Sequence, residues 1–570
     1  MTDQASHHAA GEADPLARLA QTLPLPAIDL TVDDPVDPVD VAAQPGRTGL
    51  ARVARGGALN LGGALVSAVA SLGLAVLITH SFSKPVAGSF FVAMSLFLIV
   101  EAVANLGAYN GTIYFIARLR ALHAERRIPA ILRATIVPVV ISSLVAAIAV
   151  GVFAAPLATL LLDGKSAPDV SPAAVASSLR ALAVALPFAA LADTLLGASR
   201  GYHAMKPTVI IDRIGRSVLQ SAGVLAAGLA GSSALLAPAW GFPYVAASAV
   251  AFFWLRRIMR RAASRRAHDE PATHQPAWPV SARRPPIIDN RHGKPNAKGF
   301  WRFTGPRSLA SVAQIVIQRL DIVLVGILKG PVDAAIYTAA TRFLVAGQLG
   351  NAAISMAAQP QLTRLFTIGD RDGANAVYQA TTGWLILLTW PLYLLAVVFG
   401  PTVLAIFGRS YTGGSTVMVI LGIAMLVATG CGQVDTVLIT TGRSSWSLYN
   451  GLLAMVINVG VDLILIPRLG ITGAAIGWAA AIGITNLVPL VQVATVAKVH
   501  PFGEGTASAC LLTTLSFGII PLAARLMAGD SGPVAIASIA LGCAIMAAGL
   551  WWIRGPLQLS VIGLRRPAGQ

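Results

Sequence analysis

The sequence predicts an all-α polytopic membrane protein with about fourteen transmembrane helices, and three observations lead to this fold class. Hydrophobic residues make up 55% of the chain, charged residues only 12%, and the mean hydropathy is +0.70. Apolar stretches of about 20 residues or more, enough to cross a bilayer, fill nearly everything after residue 56. Glycine occurs 54 times, as expected where membrane helices approach closely. Such a chain is solvated by lipid, which excludes a conventional soluble enzyme.

The predicted helices follow one another through short connections, with one long gap after the sixth. In chain order they are 57–80, 86–109, 134–155, 173–199, 208–230, 234–255, 306–329, 333–358, 379–407, 412–441, 446–467, 471–496, 506–528 and 533–554. Each is a mostly apolar run that is broken at its ends by charged, Gly or Pro residues.

Basic residues are distributed unequally between the two sides of the predicted membrane. The net charge of +17 would suggest a nucleic-acid partner in a soluble protein. With a cytoplasmic amino terminus, however, 31 of the 42 Lys and Arg residues fall on the inner side and six on the outer side. This asymmetry follows the positive-inside rule. It predicts a multi-pass protein of the inner (cytoplasmic) membrane with both termini in the cytoplasm, and no nucleic-acid partner.

Two long polar segments lie outside the predicted helices. Residues 1–50 are polar, acidic and rich in Pro and Ala, without a signal-peptide pattern, and we expect a disordered cytoplasmic arm. Residues 256–307 contain thirteen basic residues and seven prolines, so they cannot form a packed core. They predict a basic linker along the anionic inner leaflet, or alternatively a docking segment for a cytoplasmic partner.

An internal repeat divides the apolar part of the chain in two. A shift of 246 residues superimposes Pro85-Val86 on Pro331-Val332, Phe97-Leu98 on Phe343-Leu344, Asn105 on Asn351, and Arg118-Leu119 on Arg364-Leu365. An even number of helices separates the copies, so the repeat is parallel and predicts two six-helix lobes around a central cleft. The predicted organisation is an arm at 1–50, an N-lobe at 51–255, a linker at 256–305, a C-lobe at 306–496, and two further helices with a short tail at 497–570.

Four segments share their order and spacing with a known family. They are FSKPVAGSFFVAMSLFLIVEAVANLGAYN (82–110), LPFAALADTLLGASRGYHAMKPTVIIDRIGRSVLQ (186–220), RLDIVLVGILKGPVDAAIYTAATRFL (319–344) and NVGVDLILIPRLGITGAAIGWAAAIG (458–483). Over roughly residues 50–500 the chain resembles the polysaccharide and O-antigen flippases of the multidrug/oligosaccharidyl-lipid/polysaccharide exporter superfamily. The basic linker and the acidic arm are not part of that pattern.

The resemblance implies a flippase, not an enzyme, that moves a polyprenyl-linked oligosaccharide or polysaccharide precursor across the cytoplasmic membrane by alternating access. It implies a polyprenyl-pyrophosphate-linked glycan and the bilayer as partners, beside a glycan polymerase or glycosyltransferases of polysaccharide or lipopolysaccharide biosynthesis. A flippase for the peptidoglycan lipid precursor and a drug/cation antiporter of the same superfamily stay open as alternatives. We expect no cofactor and no metal site, and the sequence has no Gly-rich phosphate loop for ATP.

A polar stripe runs along the predicted helix 306–329. Its members follow spacings of four, three, four and three, and therefore share one face: Arg307, Ser311, Gln314, Gln318 and Asp321. Their counterparts under the 246-residue shift are all apolar: Leu61, Leu65, Ala68, Leu72 and Ala75. The stripe predicts either a substrate-lining face, through Gln314, Gln318 and Asp321, or a contact between the lobes.

Two arginines lie deep in predicted helices of the second half. Arg342 is about nine residues inside its helix, roughly 13 Å deep, beside the stripe. It is predicted to face the cleft and hold the pyrophosphate. Arg319 does not share a face with Asp321. It is either a cleft cation or the partner of a carboxylate on a neighbouring helix.

The first half contributes a smaller set of charged candidates. Asp212 and Arg216 are spaced i,i+4, which predicts an intrahelical ion pair. Arg213 shares a face with Arg216 and is predicted, with it, to meet a phosphate at the inner mouth. Glu101, inside the second predicted helix, is a proton site, a sodium site or the partner of an arginine, and the sequence leaves these three open.

Overall fold

The computed structural model describes residues 47–122, 124–162, 169–268 and 297–552, and all regular structure in these ranges is helical. The helices are α1 (Arg47–Ser81), α2 (Lys84–Ala104), α3 (Ala108–Ala121), α4 (Ile128–Val152), α5 (Ala154–Leu162), α6 (Pro172–Gly201), α7 (Ser217–Leu229), α8 (Leu236–His268), α9 (Ala297–Lys329), α10 (Pro331–Thr367), α11 (Arg371–Val398), α12 (Gly400–Leu404), α13 (Ser415–Gly430), α14 (Val434–Thr440), α15 (Ser444–Leu469), α16 (Ile471–Val496), α17 (Glu504–Thr514), α18 (Ile520–Ala528) and α19 (Gly532–Trp552). Two π-helical segments, Thr208–Arg216 and Leu515–Ile519, lead into α7 and α18. The all-helical fold class is confirmed for the described chain.

Twelve helices in the described residues are long and apolar enough to span a membrane, compared with the predicted count of about fourteen. The two stretches left out are the π-helical segment with α7, and α10. The first carries Asp212, Arg213 and Arg216, and the second carries Arg342. These charged side chains lower the apolar character of both stretches, and they line two of the cavities described below.

Large apolar side chains point outward from the bundle. Leu229, Leu526 and Met527 expose 82%, 78% and 88% of their surface, and many other Leu, Ile, Val and Phe side chains are also exposed. In water such a surface would favour aggregation, because about 25 cal/mol is lost for each Å² of exposed apolar area. In lipid the same surface is at no disadvantage, so the exposed side chains agree with the predicted membrane location.

Helices α2 and α9 lie at the centre of the described bundle. α2 packs against α6 of the first half and against α9 and α10 of the second. α9 packs in turn against α15 and α16. The main cluster of buried apolar side chains therefore includes residues of both halves, such as Phe91 and Trp478. The candidate site described below surrounds these two central helices.

The crossing of α2 and α10 is unusually close. A Cβ atom on Gly88 would lie only 1.7 Å from the backbone oxygen of Pro331, so no larger residue fits at this point. Both helices begin with a proline in their first turn, Pro85 in α2 and Pro331 in α10, where its missing N–H costs no hydrogen bond. The two helices that carry the internal repeat thus touch each other near their amino-terminal ends.

Irregular turns interrupt two stretches that were predicted as continuous helices. The stretch 86–109 breaks between α2 and α3, where Leu106 and Gly107 have φ of 53° and 70°. A Cβ on Gly107 would lie 2.8 Å from the Cβ of Ser308 on α9, so both the left-handed backbone and the close approach favour glycine. The stretch 412–441 breaks at Gly432, where φ is 69°. Neither turn alters the hydropathy pattern from which the helices were predicted.

The predicted linker at 256–305 is shorter than the sequence pattern indicated. α8 continues to His268 and α9 already begins at Ala297. The basic run after residue 255 is rich in Arg and Ala, which favour helix, and positive charge is favourable at a helix carboxyl end. Residues 269–296 lie outside the described chain. At the amino terminus, α1 begins at Arg47, so the last four residues of the predicted arm are helical and the others lie outside the described residues.

Candidate functional site

Three polar cavities lie along α9 in the described part of the chain. The arginine cavity has a volume of about 210 Å³ and is lined on α9 by Arg319. The acidic cavity has a volume of about 320 Å³ and meets α9 at Ser311 and Ile315. The amide cavity is the largest of the three, at about 710 Å³, and meets α9 at Ser311, Gln314 and Gln318. α9 therefore separates chemically different spaces within a few residues.

Three arginines from both halves of the chain line the arginine cavity. Arg216 comes from the π-helical segment before α7, Arg319 from α9 and Arg342 from α10. Arg342 is only 8% exposed, and its Nε and Nη2 atoms have no hydrogen-bond partner among the described residues. Arg319 has no hydrogen bond or ion pair there either. Unpaired guanidinium groups that share one cavity repel each other and favour an anion, which each can grip through parallel hydrogen bonds.

Arg216 is the one arginine of this cavity that has a carboxylate partner among the described residues. Its Nη2 lies 2.7 Å from Oδ1 of Asp212, and its Nε donates to the same oxygen at 2.8 Å. Its Nη1 donates to Oε1 of Gln220 at 3.1 Å, and the guanidinium lies 5.0 Å from the ring centre of Tyr244. The predicted intrahelical pair is confirmed. It sits in a π-helical turn, a feature common at functional sites.

The acidic cavity brings together three carboxylates from three helices. Glu101 comes from α2, Asp193 from α6 and Asp212 from the π-helical segment. Arg200 and Arg213 line the same space, so its charge is mixed. Of the three roles the sequence left open for Glu101, a direct ion pair with an arginine is not found among the described residues; its side chain accepts a long hydrogen bond of 3.5 Å from Asn105. Carboxylates this close together hold protons or cations more readily than isolated ones.

The acidic cavity and the arginine cavity lie next to each other along two shared segments, the π-helical segment and α9. On the π-helical segment, Asp212 lines the first and Arg216, one turn later, lines the second. On α9 the same step leads from Ile315 to Arg319. The Asp212–Arg216 ion pair therefore lies between the two cavities and joins them electrostatically.

Carboxamide side chains dominate the lining of the amide cavity. Seven of them face it: Gln314, Gln318, Gln348, Asn351, Gln433, Asn450 and Asn486. Four of them are bonded to protein groups. Gln433 donates to Oδ1 of Asn351 at 2.5 Å, Asn450 pairs with Gln492 at 2.8 Å, and Asn486 donates to the backbone oxygen of Ile482 at 2.8 Å. Gln314, Gln318 and Gln348 have no hydrogen-bond partner among the described residues.

The amide cavity carries little formal charge. Its lining in the described chain contains no Lys, Arg, His or Glu, and one carboxylate, Asp435. Asp435 accepts a hydrogen bond of 2.5 Å from Oγ of Ser447. Trp478 adds an aromatic surface from α16. Such a lining can form many hydrogen bonds to an uncharged ligand but offers little electrostatic attraction to an ion.

The predicted polar stripe of α9 is divided by the structure. Ser311, Gln314 and Gln318 line the amide cavity together, as their spacing predicted, whereas Arg307 does not line it. Asp321, which was predicted with them, is 1% exposed, lines none of the three cavities and faces a separate buried cluster. Arg342 also lies away from the stripe, on the other side of α9. Gln318 of the stripe lines the amide cavity, whereas Arg319 and Arg342 line the arginine cavity.

Asp321 forms a buried acidic pair with Asp462 of α15. The hydroxyl of Tyr337 donates to Oδ2 of Asp321 at 2.8 Å. The amide of Asn458 lies between the carboxylates, with its two terminal atoms 3.2 Å from Asp321 and 3.3 Å from Asp462. Since one amide has one donating group, it can serve only one carboxylate at a time. The pair therefore needs a shared proton or a cation to be stable in the bundle.

The sequence prediction named the arginines but not all of their neighbours. The structure places Arg216, Arg319 and Arg342 in one cavity, a grouping that the sequence did not predict. Arg213, which was predicted to share a face with Arg216, lines the acidic cavity with Glu101 instead. Asp193 is missing from the predicted set, although a carboxylate inside the 30-residue apolar helix α6 is itself a signal of function. The amides contributed by α10, α15 and α16, and Gln433 just before α14, gave no such signal, because single Asn and Gln residues are common in membrane helices.

Part of the second half matches a family model. Residues 306–464 match the model described as MatE. A curated relative, the "Probable low-salt glycan biosynthesis flippase Agl15" of Haloferax volcanii, is 23% identical over 201 residues, which is 34% of this chain and 41% of the relative. The match thus spans less than half of that relative's length.

Two solved structures share the fold over most of the chain. One is the "Lipid II flippase MurJ, inward closed conformation", with a TM-score of 0.65 and 12% identity over 86% of this chain and 98% of that one. The other is the "Inward-facing conformation of a multidrug resistance MATE family transporter of the MOP superfamily", with a TM-score of 0.56 and 14% identity over 76% and 94% of the two chains. The relatives include multidrug transporters and flippases alike, so they do not separate the expected polysaccharide flippase family from the others.

Proposed function

We propose that the chain is a flippase of the MOP superfamily of membrane transporters and that it moves a polyprenyl-diphosphate-linked glycan from the cytoplasmic to the outer face of the cytoplasmic membrane. It works by alternating access between an N-lobe (51–255) and a C-lobe (306–496). The arginine cavity between the two halves holds the diphosphate. The glycan polymerase or glycosyltransferases that make and use such a substrate are its functional neighbours.

The observation that carries this proposal is the uncompensated charge of the arginine cavity. Arg319 and Arg342 have no carboxylate partner among the described residues, and Arg216 shares its partner, Asp212, with a second cavity. A buried, unpaired guanidinium in a membrane protein is costly, so it is retained where a ligand supplies the opposite charge. A diphosphate carries enough negative charge and enough oxygen acceptors to engage several guanidinium groups at once.

The position of the acidic cavity suits entry from the cytoplasm. With cytoplasmic termini, this cavity is lined by the cytoplasmic halves of its helices, whereas Arg319 and Arg342 lie about ten residues from the outer ends of α9 and α10. A lipid head group entering from the cytoplasm therefore passes the acidic cavity before it reaches the arginines. The carboxylates there repel an anion unless they bind protons or cations, which links substrate entry to the coupling ion.

The two alternatives, a drug/cation antiporter and a peptidoglycan-precursor flippase, would use these cavities differently. An organic cation would be repelled by the arginine cavity but attracted by Glu101, Asp193 and Asp212 of the acidic cavity. That cavity is the observation that favours a drug/cation antiporter. A peptidoglycan lipid precursor would fit the arginine cavity equally well, and the fold shared with MurJ favours it. Both alternatives are separated from the proposal by the identity of the lipid that accumulates when transport fails.

Substitution of Arg342 tests the proposal directly. Arg342→Ala should leave the protein inserted and folded, yet cause a lipid-linked glycan to accumulate on the cytoplasmic face, because the diphosphate loses a two-point contact. Export should fall at least about tenfold, the loss expected for one charged hydrogen-bonding group. Arg342→Lys keeps the charge but loses the planar fork, so it should be partly impaired. The measurement is the amount and sidedness of lipid-linked glycan in cells that carry each variant as the sole copy.

A matched control is available on the same helix. Arg364 lies on α10 but is exposed and lines none of the three cavities, so Arg364→Ala should export like the wild type. If Arg342→Ala is present at normal abundance and exports glycan at the wild-type rate, the diphosphate site is misplaced. Accumulation of the peptidoglycan precursor instead of another glycan lipid would assign the protein to that alternative.

A further inference from the structure

We infer that the amide cavity is a separate binding site for uncharged sugar residues of the glycan, distinct from the diphosphate site in the arginine cavity. The inference rests on the proposed function and adds to it the location and the chemistry of glycan recognition. Three features of the amide cavity support it: its free hydrogen-bonding groups, its near lack of charge, and its position across α9 from the arginines.

The free hydrogen-bonding groups match the chemistry of a sugar. A primary amide offers both donors and an acceptor, and a sugar hydroxyl likewise donates one hydrogen bond and accepts others. Gln314 and Gln318 lie one turn apart on α9, Gln348 faces the same space from α10, and none has a protein partner among the described residues. Gln314 is exposed and Gln318 and Gln348 are half-buried, so their amide groups are accessible to a ligand that enters the cavity. The other four amides already hydrogen-bond to protein groups.

The lack of charge separates this cavity from the two beside it. The described lining holds no basic residue, so it offers no opposite charge to a phosphate or to the carboxylates of a peptide. Its single carboxylate, Asp435, is engaged by Ser447. An organic cation would find one carboxylate at most, whereas a neutral sugar finds hydrogen-bond partners on several helices. The volume of about 710 Å³ lies in the range of about 300–1,000 Å³ that is usual for small-ligand sites.

The position of the cavity suits a sugar that is joined to a diphosphate. Gln318 and Arg319 are consecutive residues of α9 and line the amide cavity and the arginine cavity respectively. The two cavities are thus separated by about one helix diameter, roughly 10 Å. Ser311, about two turns earlier, lines both the amide cavity and the acidic cavity, so the spaces on the two sides of α9 approach each other there. A glycan of a few sugars can therefore pass around α9 while its diphosphate stays near the arginines.

A binding experiment with two probes tests this inference. The full-length protein is placed in lipid nanodiscs, and its affinity is measured for a bare polyprenyl diphosphate and for the same lipid carrying a neutral trisaccharide. The variant combines Gln314→Ala, Gln318→Ala and Gln348→Ala. It should bind the trisaccharide lipid at least about tenfold more weakly than the wild type, because each lost hydrogen bond contributes a factor of roughly three to ten. Its affinity for the bare lipid should stay within about twofold, which also shows that the variant is folded.

Gln361→Ala is the matched control, because Gln361 lies on α10 but is exposed and does not line the amide cavity. It should bind both probes like the wild type. If the triple variant binds the trisaccharide lipid like the wild type, the amide cavity is not the sugar site, while the flippase proposal still stands. If it loses affinity for both probes equally, the amides only support the arginine cavity, and a separate sugar site is excluded. Failure of the wild type to bind either lipid would overturn the proposed function itself.

Discussion

The repeated helices α2 and α10 share residues at equivalent positions, but they line cavities of different chemical character. Both begin with a proline in the first turn, and both place an asparagine at the same repeat position, Asn105 and Asn351. Asn105 lines the acidic cavity beside Glu101, whereas Asn351 lines the amide cavity and pairs with Gln433. The repeat therefore places similar residues beside a cavity in each half, but the two cavities differ in charge.

The positions that differ between the two copies account for that difference. Under the shift of 246 residues, Glu101 corresponds to Gly347, and Leu96 corresponds to Arg342. The same holds for the helices that precede them, since α9 carries the amides Gln314 and Gln318 where α1 has Ala68 and Leu72. Shared residues keep the two helices in equivalent places, and unshared residues determine what each half can bind.

Substitutions at two neighbouring residues of α9 give the strongest test of whether this helix separates two different binding sites. Arg319→Glu should weaken binding of a bare polyprenyl diphosphate by at least about a hundredfold, because it removes charged hydrogen bonds and adds a repulsive carboxylate. Gln318→Glu places the same carboxylate one residue away, in the amide cavity, and should change this affinity by less than about threefold. Binding of the bare lipid to each purified variant in nanodiscs measures both effects. Equal losses in the two variants would show that α9 does not separate two sites.

A smaller effect is expected where the two copies touch. Gly88 corresponds to Ala334 in the second copy, but a Cβ on Gly88 would lie 1.7 Å from the backbone oxygen of Pro331. Gly88→Ala should therefore force α2 and α10 apart and cost about 1–3 kcal/mol of folding free energy. Gly73→Ala on α1 is the control, because nothing lies within 4 Å of its added Cβ, and it should be neutral or stabilising. The temperature at which each detergent-solubilised variant loses its monodisperse state measures the difference, and equal temperatures would contradict the close crossing.

Much of the fold was predictable because hydropathy records burial in lipid directly. The helix 471–496 begins and ends at the predicted residues, and most others differ by a few residues. The larger errors lie where a helix leaves the membrane: α8 and α9 continue into the basic segment, since Ala and Arg favour helix whether or not lipid surrounds them. The turns at Gly107 and Gly432 depend on a left-handed backbone, which hydropathy does not encode.

The candidate site was predictable within single helices but not between them. The spacing of Ser311, Gln314 and Gln318 correctly placed them on one face, and the depth of Arg342 correctly suggested burial. Periodicity cannot tell which residue of another helix faces a given side chain. The grouping of Arg342 with Arg319 and Arg216, and of Asp321 with Asp462, depends on packing between distant segments and required the structure.

The central claim is that the protein moves a diphosphate-linked glycan across the membrane, and transbilayer movement in proteoliposomes tests it most directly. Purified wild-type protein is reconstituted with a fluorescent polyprenyl-diphosphate oligosaccharide under an imposed pH or sodium gradient. A quencher that cannot cross the membrane reports the label left in the outer leaflet. We expect the label to exchange between leaflets much faster with the wild type than with Arg342→Ala or with protein-free vesicles. Exchange at the protein-free rate under both gradients would contradict the account.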